Sequence, residues 1–301
     1  MKIGITGGTG YVASVVAPLI GTRGTVELID LRDPVPGSPH FTFHKVDVSD
    51  PEAFREIATR YDVILHLAAV VGYPACRANP KAAYQHNVVT TENVLRLKKP
   101  GARVLLTSTI SAYGDQPEGA LVDELTDAHP NSVYGNTKKQ AEDLILKDGP
   151  HCVLRFAGAF GASPRMRHDV LIHDFVRQAV DGASLSIYED HFVRQFVHVR
   201  DMAAAVLHCL DHWDDLGGNI FNVGNPQVEL TKRDLALAIA KQCPFPFRFE
   251  DSGQDLEKRN YRVAFRKFVA AGYRPEGKLE NGIEELIAYY RRHPKELAHA
   301  G

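Results

Sequence analysis

Cysteine is scarce in this chain: Cys76, Cys152, Cys209 and Cys243 lie far apart and form no C-x-x-C pair. That spacing writes neither a zinc site nor a disulfide framework, and reduced thiols in a cytoplasmic protein are the simpler expectation. The fourteen histidines are scattered, without the H-E-x-x-H spacing of a metal helix, so no metal is expected. Neither sign of charge is in excess. With 35 Lys plus Arg against 37 Asp plus Glu, the net charge of −2 supplies no cationic field for nucleic acid or an anionic membrane. No apolar run is long enough to span a bilayer, and the opening residues are not a basic, apolar leader. Internal repeats, low-complexity tracts and Gly/Ser/Pro-rich linkers are also missing. An anionic ligand must therefore be held by local devices such as helix ends and single arginines.

What is present is a regular alternation of strand and helix patterns. Lys2–Thr6, Thr25–Ile29, Thr42–Val46, Asp62–His66, Arg103–Ser108 and Cys152–Phe156 read as strands. Tyr11–Ile20, Pro80–Leu97 and Asn131–Lys147 read as helices between them. Such alternation predicts an α/β fold, a doubly wound parallel sheet of the Rossmann kind. After Gly161 the texture changes to short strands, helices and loops, which predicts a smaller C-terminal substrate lobe. The expected division is 1–161 for the nucleotide-binding domain, with returning segments at about 195–224. Residues 162–194 and 225–301 would form the substrate lobe, sharing a cleft with the first domain.

The first strand runs straight into Thr6-Gly7-Gly8-Thr9-Gly10-Tyr11-Val12-Ala13. Gly7 and Gly10 let the backbone turn tightly and approach a pyrophosphate, while the following helix aims unpaired N–H groups at that anion. Asp30 closes the second strand twenty residues after Gly10. A carboxylate there accepts hydrogen bonds from ribose hydroxyls and repels a 2′-phosphate, favouring NAD over NADP. Arg32 is a partial counterweight, since an arginine can meet such a phosphate. Asp47 and Val48, ending the third strand, are placed to flank the adenine; Asp47 serves equally well as a helix cap.

Tyr134-Gly135-Asn136-Thr137-Lys138 puts a phenol and an ammonium four residues apart, on one face of a helix. A free tyrosine titrates near pH 10, about three units too high for a base at neutral pH. A neighbouring cation favours the phenolate, which makes Tyr134 the candidate acid–base and Lys138 its tuner. A hydroxyl at Thr109, where Thr107-Ser108-Thr109 ends a strand, can bind the oxygen that Tyr134 deprotonates.

Together these residues resemble the extended short-chain dehydrogenase/reductase family, in particular its nucleotide-sugar epimerases and dehydratases. The resemblance spans nearly the whole chain. It adds His66-Leu67-Ala68-Ala69, Asn87-Val88, the run 107–114, Leu154-Arg155, the run 194–201 and the run 221–225 to the motifs already named. It implies Thr109, Tyr134 and Lys138 as catalytic residues. It implies that Gly7, Gly10, Tyr11, Val12, Asp30, Asp47, Val48, Leu67, Ala68, Ala69, Asn87, Tyr134 and Lys138 contact NAD. Arg194 resembles the arginine that grips a sugar nucleotide's diphosphate, with Arg259 or Arg262 as a second grip, and Val71 and Gly72 resemble a substrate loop. A homodimer built from the helices Pro80–Leu97 and Asn131–Lys147 is likewise implied.

The departures from the family narrow the chemistry. Its dehydratases carry Asp-Glu after the active-site threonine, and its decarboxylases carry Glu where Ser111 stands; this chain has Ile110-Ser111. Its Leu-Arg-x-x-Asn becomes Leu154-Arg155-Phe156-Ala157-Gly158. Without that acid, elimination has no evident proton donor unless Asp115 or Glu118 supplies one. The expectation is thus an NAD-dependent nucleotide-sugar 4-epimerase, with a 4-oxidoreductase or 4,6-dehydratase as alternatives. A non-catalytic NAD-binding regulator is the alternative of another class.

Overall fold

The central sheet is built from seven strands, apolar through β4 and most of β6 and more polar toward the β3 edge. They are β1 (Lys2–Thr6), β2 (Thr25–Asp30), β3 (Thr42–Lys45), β4 (Val63–His66), β5 (Arg103–Thr109), β6 (Cys152–Phe156) and β7 (Ile220–Val223). In the computed structural model, which describes residues 1–251, 253 and 260–296, they are all parallel. Their order is β7-β6-β5-β4-β1-β2-β3. Every residue of β4 and of β6 is buried, as a sheet covered on both faces requires. Successive side chains go to opposite faces. Ile3, Ile5, Leu65, Leu105 and Leu154 pack with helices Ala13–Ile20 and Val199–Asp211 on one side. Ile64, Val104, Leu106 and Val153 pack with helices Pro51–Ala58, Thr90–Leu97 and Val133–Asp148 on the other. The expected doubly wound α/β class is the observed one.

Local chemistry starts these helices. Asp50 caps Pro51–Ala58 by accepting from the amides of Glu52 and Ala53, with Pro51 already at helical φ. Ser132 caps Val133–Asp148 by accepting from Gly135 N at 3.0 Å. The Asp-Pro signal at 50–51 marks a helix that hydrophobic periodicity alone missed.

One expectation fails in an informative way. Pro80–Leu97 is not a continuous α-helix: Pro80–Tyr84 and Thr90–Leu97 are α-helical, and Gln85–Val89 between them is a π-turn. The hydroxyls of Thr90 and Thr91 donate to the carbonyls of His86 and Asn87, competing with the regular ladder at the widened turn. The turn also places Asn87 in the protein interior, where it bonds to two neighbouring segments.

The smaller lobe has its own core, in which Phe160, Ile172, Phe175, Leu235, Ile239, Ile283 and Leu286 meet between helices Leu171–Asp181, Lys232–Gln242 and Leu279–Arg292. Two segments that lie between its helices in sequence come back to the sheet: Met202, Ala203 and Val206 join the core around β1, and β7 adds the outermost strand beside β6. Among the described residues no helix is long and apolar enough to cross a membrane.

A buried ion pair ties the sheet to helix Val133–Asp148. The Arg155 Nε and Nη2 donate to the Glu142 carboxylate at 3.0 and 2.6 Å, and Ser108 Oγ donates to the same carboxylate at 2.5 Å. Removing one partner strands a charge in a low dielectric, which costs about 3–5 kcal/mol. Glu142→Ala should therefore lower the free energy of unfolding by that amount, seen as a lower urea midpoint at unchanged slope, whereas Ser108→Ala should cost only about 1–2 kcal/mol. Equal losses from the two variants would show that the pair is not the dominant partner.

Candidate active site

Strand order reverses between β1 and β4, and the crevice outside their carboxyl ends is where ligands bind in open parallel sheets. A cavity of about 610 Å³ opens there. Gly7 makes the crevice possible. Its φ is +67°, and a Cβ at that position would lie 2.7 Å from the amide nitrogen of Ala68, so only glycine lets the β1 loop pass the end of β4.

At one end of the cavity stand Gly10, Tyr11, Val12, Asp30, Arg32, Asp47 and Val48. The Asp30 carboxylate is fixed before any ligand arrives. Thr9 donates to Oδ2 from its amide at 3.0 Å and its hydroxyl at 2.8 Å, and the Arg32 amide donates to Oδ1 at 3.1 Å. The Arg32 guanidinium lies 3.9 Å away and is largely exposed. Asp47 lines the cavity and also accepts from the Ser49 amide at 2.8 Å, so it shapes the turn as well as the wall.

The floor is formed by Leu67, Ala68, Ala69, Val70 and Val71 after β4. Their course is set by His66, which is buried and held neutral: burial first, and the charge of Lys138 second, push its pKa down to about 3. Its proton position follows from its partners. Thr91 already donates to the Asn87 carbonyl, so His66 Nε2 must donate to Thr91 Oγ1 at 3.0 Å. Nδ1 then accepts from Thr6 Oγ1 at 2.7 Å, leaving Thr6 to accept from the Ala68 amide. Asn87 lies behind this floor. It accepts from Val70 N at 2.7 Å and donates to Val70 O and Thr137 Oγ1, positioning the loop against helix Val133–Asp148.

At the other end, Thr109, Ser111, Tyr134 and Lys138 share one wall. Thr109 Oγ1 donates to Ser111 Oγ at 3.2 Å and accepts from the Ser111 amide, ordering two hydroxyls side by side. Gly135 brings the helix to them: a Cβ there would lie 2.6 Å from the Ser111 carbonyl. Lys138 is buried, and burial lowers its pKa to about 8 against the opposing pull of Glu142 one turn on. The helical register thus delivers the phenol and ammonium to one surface, as the four-residue spacing predicts.

The arginines are distributed differently from expectation. Among the described residues, those lining the cavity are Arg32, Arg165 and Arg167. Arg167 binds Asp169 through two hydrogen bonds of 3.0 and 2.6 Å and lies against Gly72, within electrostatic reach of Tyr134. Burial opposes its charge, and Asp169 more than restores it. Arg194 stands outside the walls, with Nη1 donating to Val193 O and the guanidinium 5.7 Å over Phe192. Arg262 pairs with Glu229, and Arg259 lies outside the described residues. Asp115 accepts from Asn131 and Glu118 from Asn260, both away from the cavity. Arg165, Arg167 and Ser111 were not singled out as site residues by sequence reasoning; the arginine pair two residues apart, just past a glycine-bounded strand, was the only hint.

Residues 3–224 match the model of the NAD dependent epimerase/dehydratase family. The chain belongs to that family. It is 27% identical over 313 residues to the low-salt glycan biosynthesis protein Agl12 of Haloferax volcanii, covering 96% of this chain and 98% of that protein. It is 29% identical over 315 residues to UDP-glucuronic acid decarboxylase 2 of Arabidopsis thaliana, covering 97% of this chain and 68% of that protein. The fold is that of the Thermus thermophilus UDP-glucose 4-epimerase solved with NAD, with a TM-score of 0.81 at 23% identity, over 97% of this chain and 99% of that one.

As an NAD-dependent epimerase/dehydratase the chain is an enzyme, and its residues suit the cofactor. A glycine turn leads into a helix N-terminus, and a carboxylate with both oxygens already oriented closes β2 beside it. Asp30→Ala should weaken NAD binding about tenfold or more, the worth of a hydrogen bond to a charged group, while NADP binding strengthens toward Arg32. Fluorescence titration with both dinucleotides checks this; an unchanged preference would remove Asp30 from cofactor choice. Lys138 yields a pH prediction of definite sign. Its folded pKa, about 8, lies below the unfolded value of about 10.4, so unfolding takes up a proton between them and stability rises with pH across that window. Relative to Lys138→Met, the wild type should be less stable by about 3 kcal/mol at pH 7 and draw level near pH 10.5 in urea titrations. A difference independent of pH would contradict the burial of its charge.

Proposed function

We propose that this chain is an NAD-dependent 4-epimerase acting on a nucleoside-diphosphate sugar. The observation that carries the reading is the composition of the cavity wall. Thr109, Ser111, Tyr134 and Lys138 line the reacting end, and among the described residues the lining carboxylates are Asp30 and Asp47, which end β2 and follow β3, across β4 and β1 from Thr109 at the end of β5. Acid-assisted elimination of water wants a carboxyl beside the threonine. The family resemblance puts an acid at position 111 in decarboxylases, and this chain has serine there.

In this reading Gly7, Gly10, Tyr11, Val12, Asp30, Asp47, Val48 and the floor Leu67–Ala69 hold NAD. NAD when bound supplies the reversible two-electron oxidation of a sugar carbinol. Thr109 holds the C4 oxygen, and Tyr134 takes its proton, with the buried charge of Lys138 stabilising the phenolate. Elimination of a neighbouring group is not assisted, so the 4-keto sugar turns over in the cavity and presents its other face. Tyr134 then returns the proton to the same oxygen, now carried by a C4 of inverted configuration. The sugar nucleotide as substrate class is supported by relatives named for UDP-glucuronic acid and UDP-glucose.

The holoenzyme incubated with UDP-glucose, UDP-glucuronic acid and dTDP-glucose should invert C4 of at least one, seen by proton NMR with no net NADH. Accumulated NADH with a keto product would replace the reading by a 4-oxidoreductase, and loss of eighteen mass units by a dehydratase. Tyr134→Phe should lower kcat by about 10²–10⁴ with KM changed only a few-fold. Unchanged turnover in that variant would sink the assignment and leave a non-catalytic NAD-binding protein.

A further inference from the structure

Between the strand Gly158–Phe160 and the helix Leu171–Asp181, the chain crosses from the smaller lobe to the nucleotide loop. Four hydrogen bonds draw residues 161–165 down on it. Tyr11 donates its hydroxyl to Gly161 O at 2.8 Å, and Ser163 Oγ donates to Tyr11 O at 2.7 Å; both are buried. Arg165 then reaches furthest. Its Nε donates to Thr9 O at 3.2 Å and its Nη2 to Asp33 O at 2.7 Å, more than 130 residues away in sequence. Thr9 is the residue that orients Asp30, and Asp33 follows β2, so one guanidinium joins both edges of the adenosine end while lining the cavity.

We propose that Arg165 is the clasp that retains the dinucleotide, closing the segment 161–165 over its adenosine end. A guanidinium offers five donors, and two go to these carbonyls, so the group that joins the two segments also brings a full positive charge to the cavity wall. Lysine supplies one rotating point charge and cannot bridge two carbonyls in a fixed plane. An enzyme whose two half-reactions use one cofactor molecule needs that molecule to stay between them. The inference therefore complements the epimerase reading, but it rests only on NAD occupying this cavity.

The test measures cofactor release and needs no sugar. Holoenzyme is mixed with excess fluorescent-labelled NAD analogue, and displacement of bound NAD is followed by stopped flow for the wild type, Arg165→Leu and Arg165→Lys. Release should accelerate about tenfold to a hundredfold in Arg165→Leu and about threefold to tenfold in Arg165→Lys, the worth of one or two charge-assisted hydrogen bonds. ADP, which carries only the adenosine end, should lose affinity in Arg165→Leu, whereas nicotinamide mononucleotide should bind as before. Should the leucine variant fail to fold, the lysine variant decides. Release within twofold of the wild type in the folded variants overturns the proposal, as does an equal loss of ADP and nicotinamide mononucleotide. Failure of C4 inversion leaves these outcomes untouched, so the two readings fall separately.

Discussion

Glu142 is the group on which the reacting wall depends. Its carboxylate is fully buried, and burial of a charge is tolerable only where every lone pair is answered. Ser108 of β5 and Arg155 of β6 answer it directly, and Lys138 stands one helical turn before it. Arg155 in turn lies 4.7 Å over the ring of Tyr113, whose hydroxyl donates to Asn222 of β7. One negative charge thus fixes helix Val133–Asp148 against three strands. Two positive charges, Lys138 and Arg155, are thus set against one negative charge in the protein interior. The arrangement that locks the helix also conditions its chemistry.

The rest of the cavity is organised by neutral donors. Asp30 is oriented by Thr9 and the Arg32 amide, His66 by Thr6 and Thr91, and Asn87 by Val70 and Thr137. These hydrogen bonds are all made within the protein itself. Their effect is preorganisation: walls already in place lose little entropy when a dinucleotide enters. The contrast with the reacting end is chemical. Binding at the adenosine end needs fixed acceptors, whereas proton transfer needs a group whose charge can change.

Much of this was legible in the residues themselves. Strand and helix alternation read out the sheet, because a parallel strand buried on both faces must be apolar throughout. The spacing of Tyr134 and Lys138 read out the shared wall, because helical periodicity needs no knowledge of the rest of the fold. The π-turn at Gln85–Val89 was not legible, since the bonds that Asn87 makes from it run to Val70 and Thr137, outside the helix itself. Nor were the roles of the arginines. Arg194, Arg165 and Arg167 are equivalent cations in sequence, and only the course of residues 161–169 over the cavity distinguishes them.

The chain's own order of residues therefore determined the class of fold, the nucleotide loop and the phenol–ammonium pair. Each of these follows from interactions within about twenty residues, where propensity and periodicity act. The tertiary structure decided which cations face the ligand, which carboxylates do not, and how far Lys138 is stripped of water. Those properties come from contacts between segments far apart in sequence, more than a hundred residues for Arg165, and electrostatics there depends on burial and on the identity of the neighbour rather than on the residue alone.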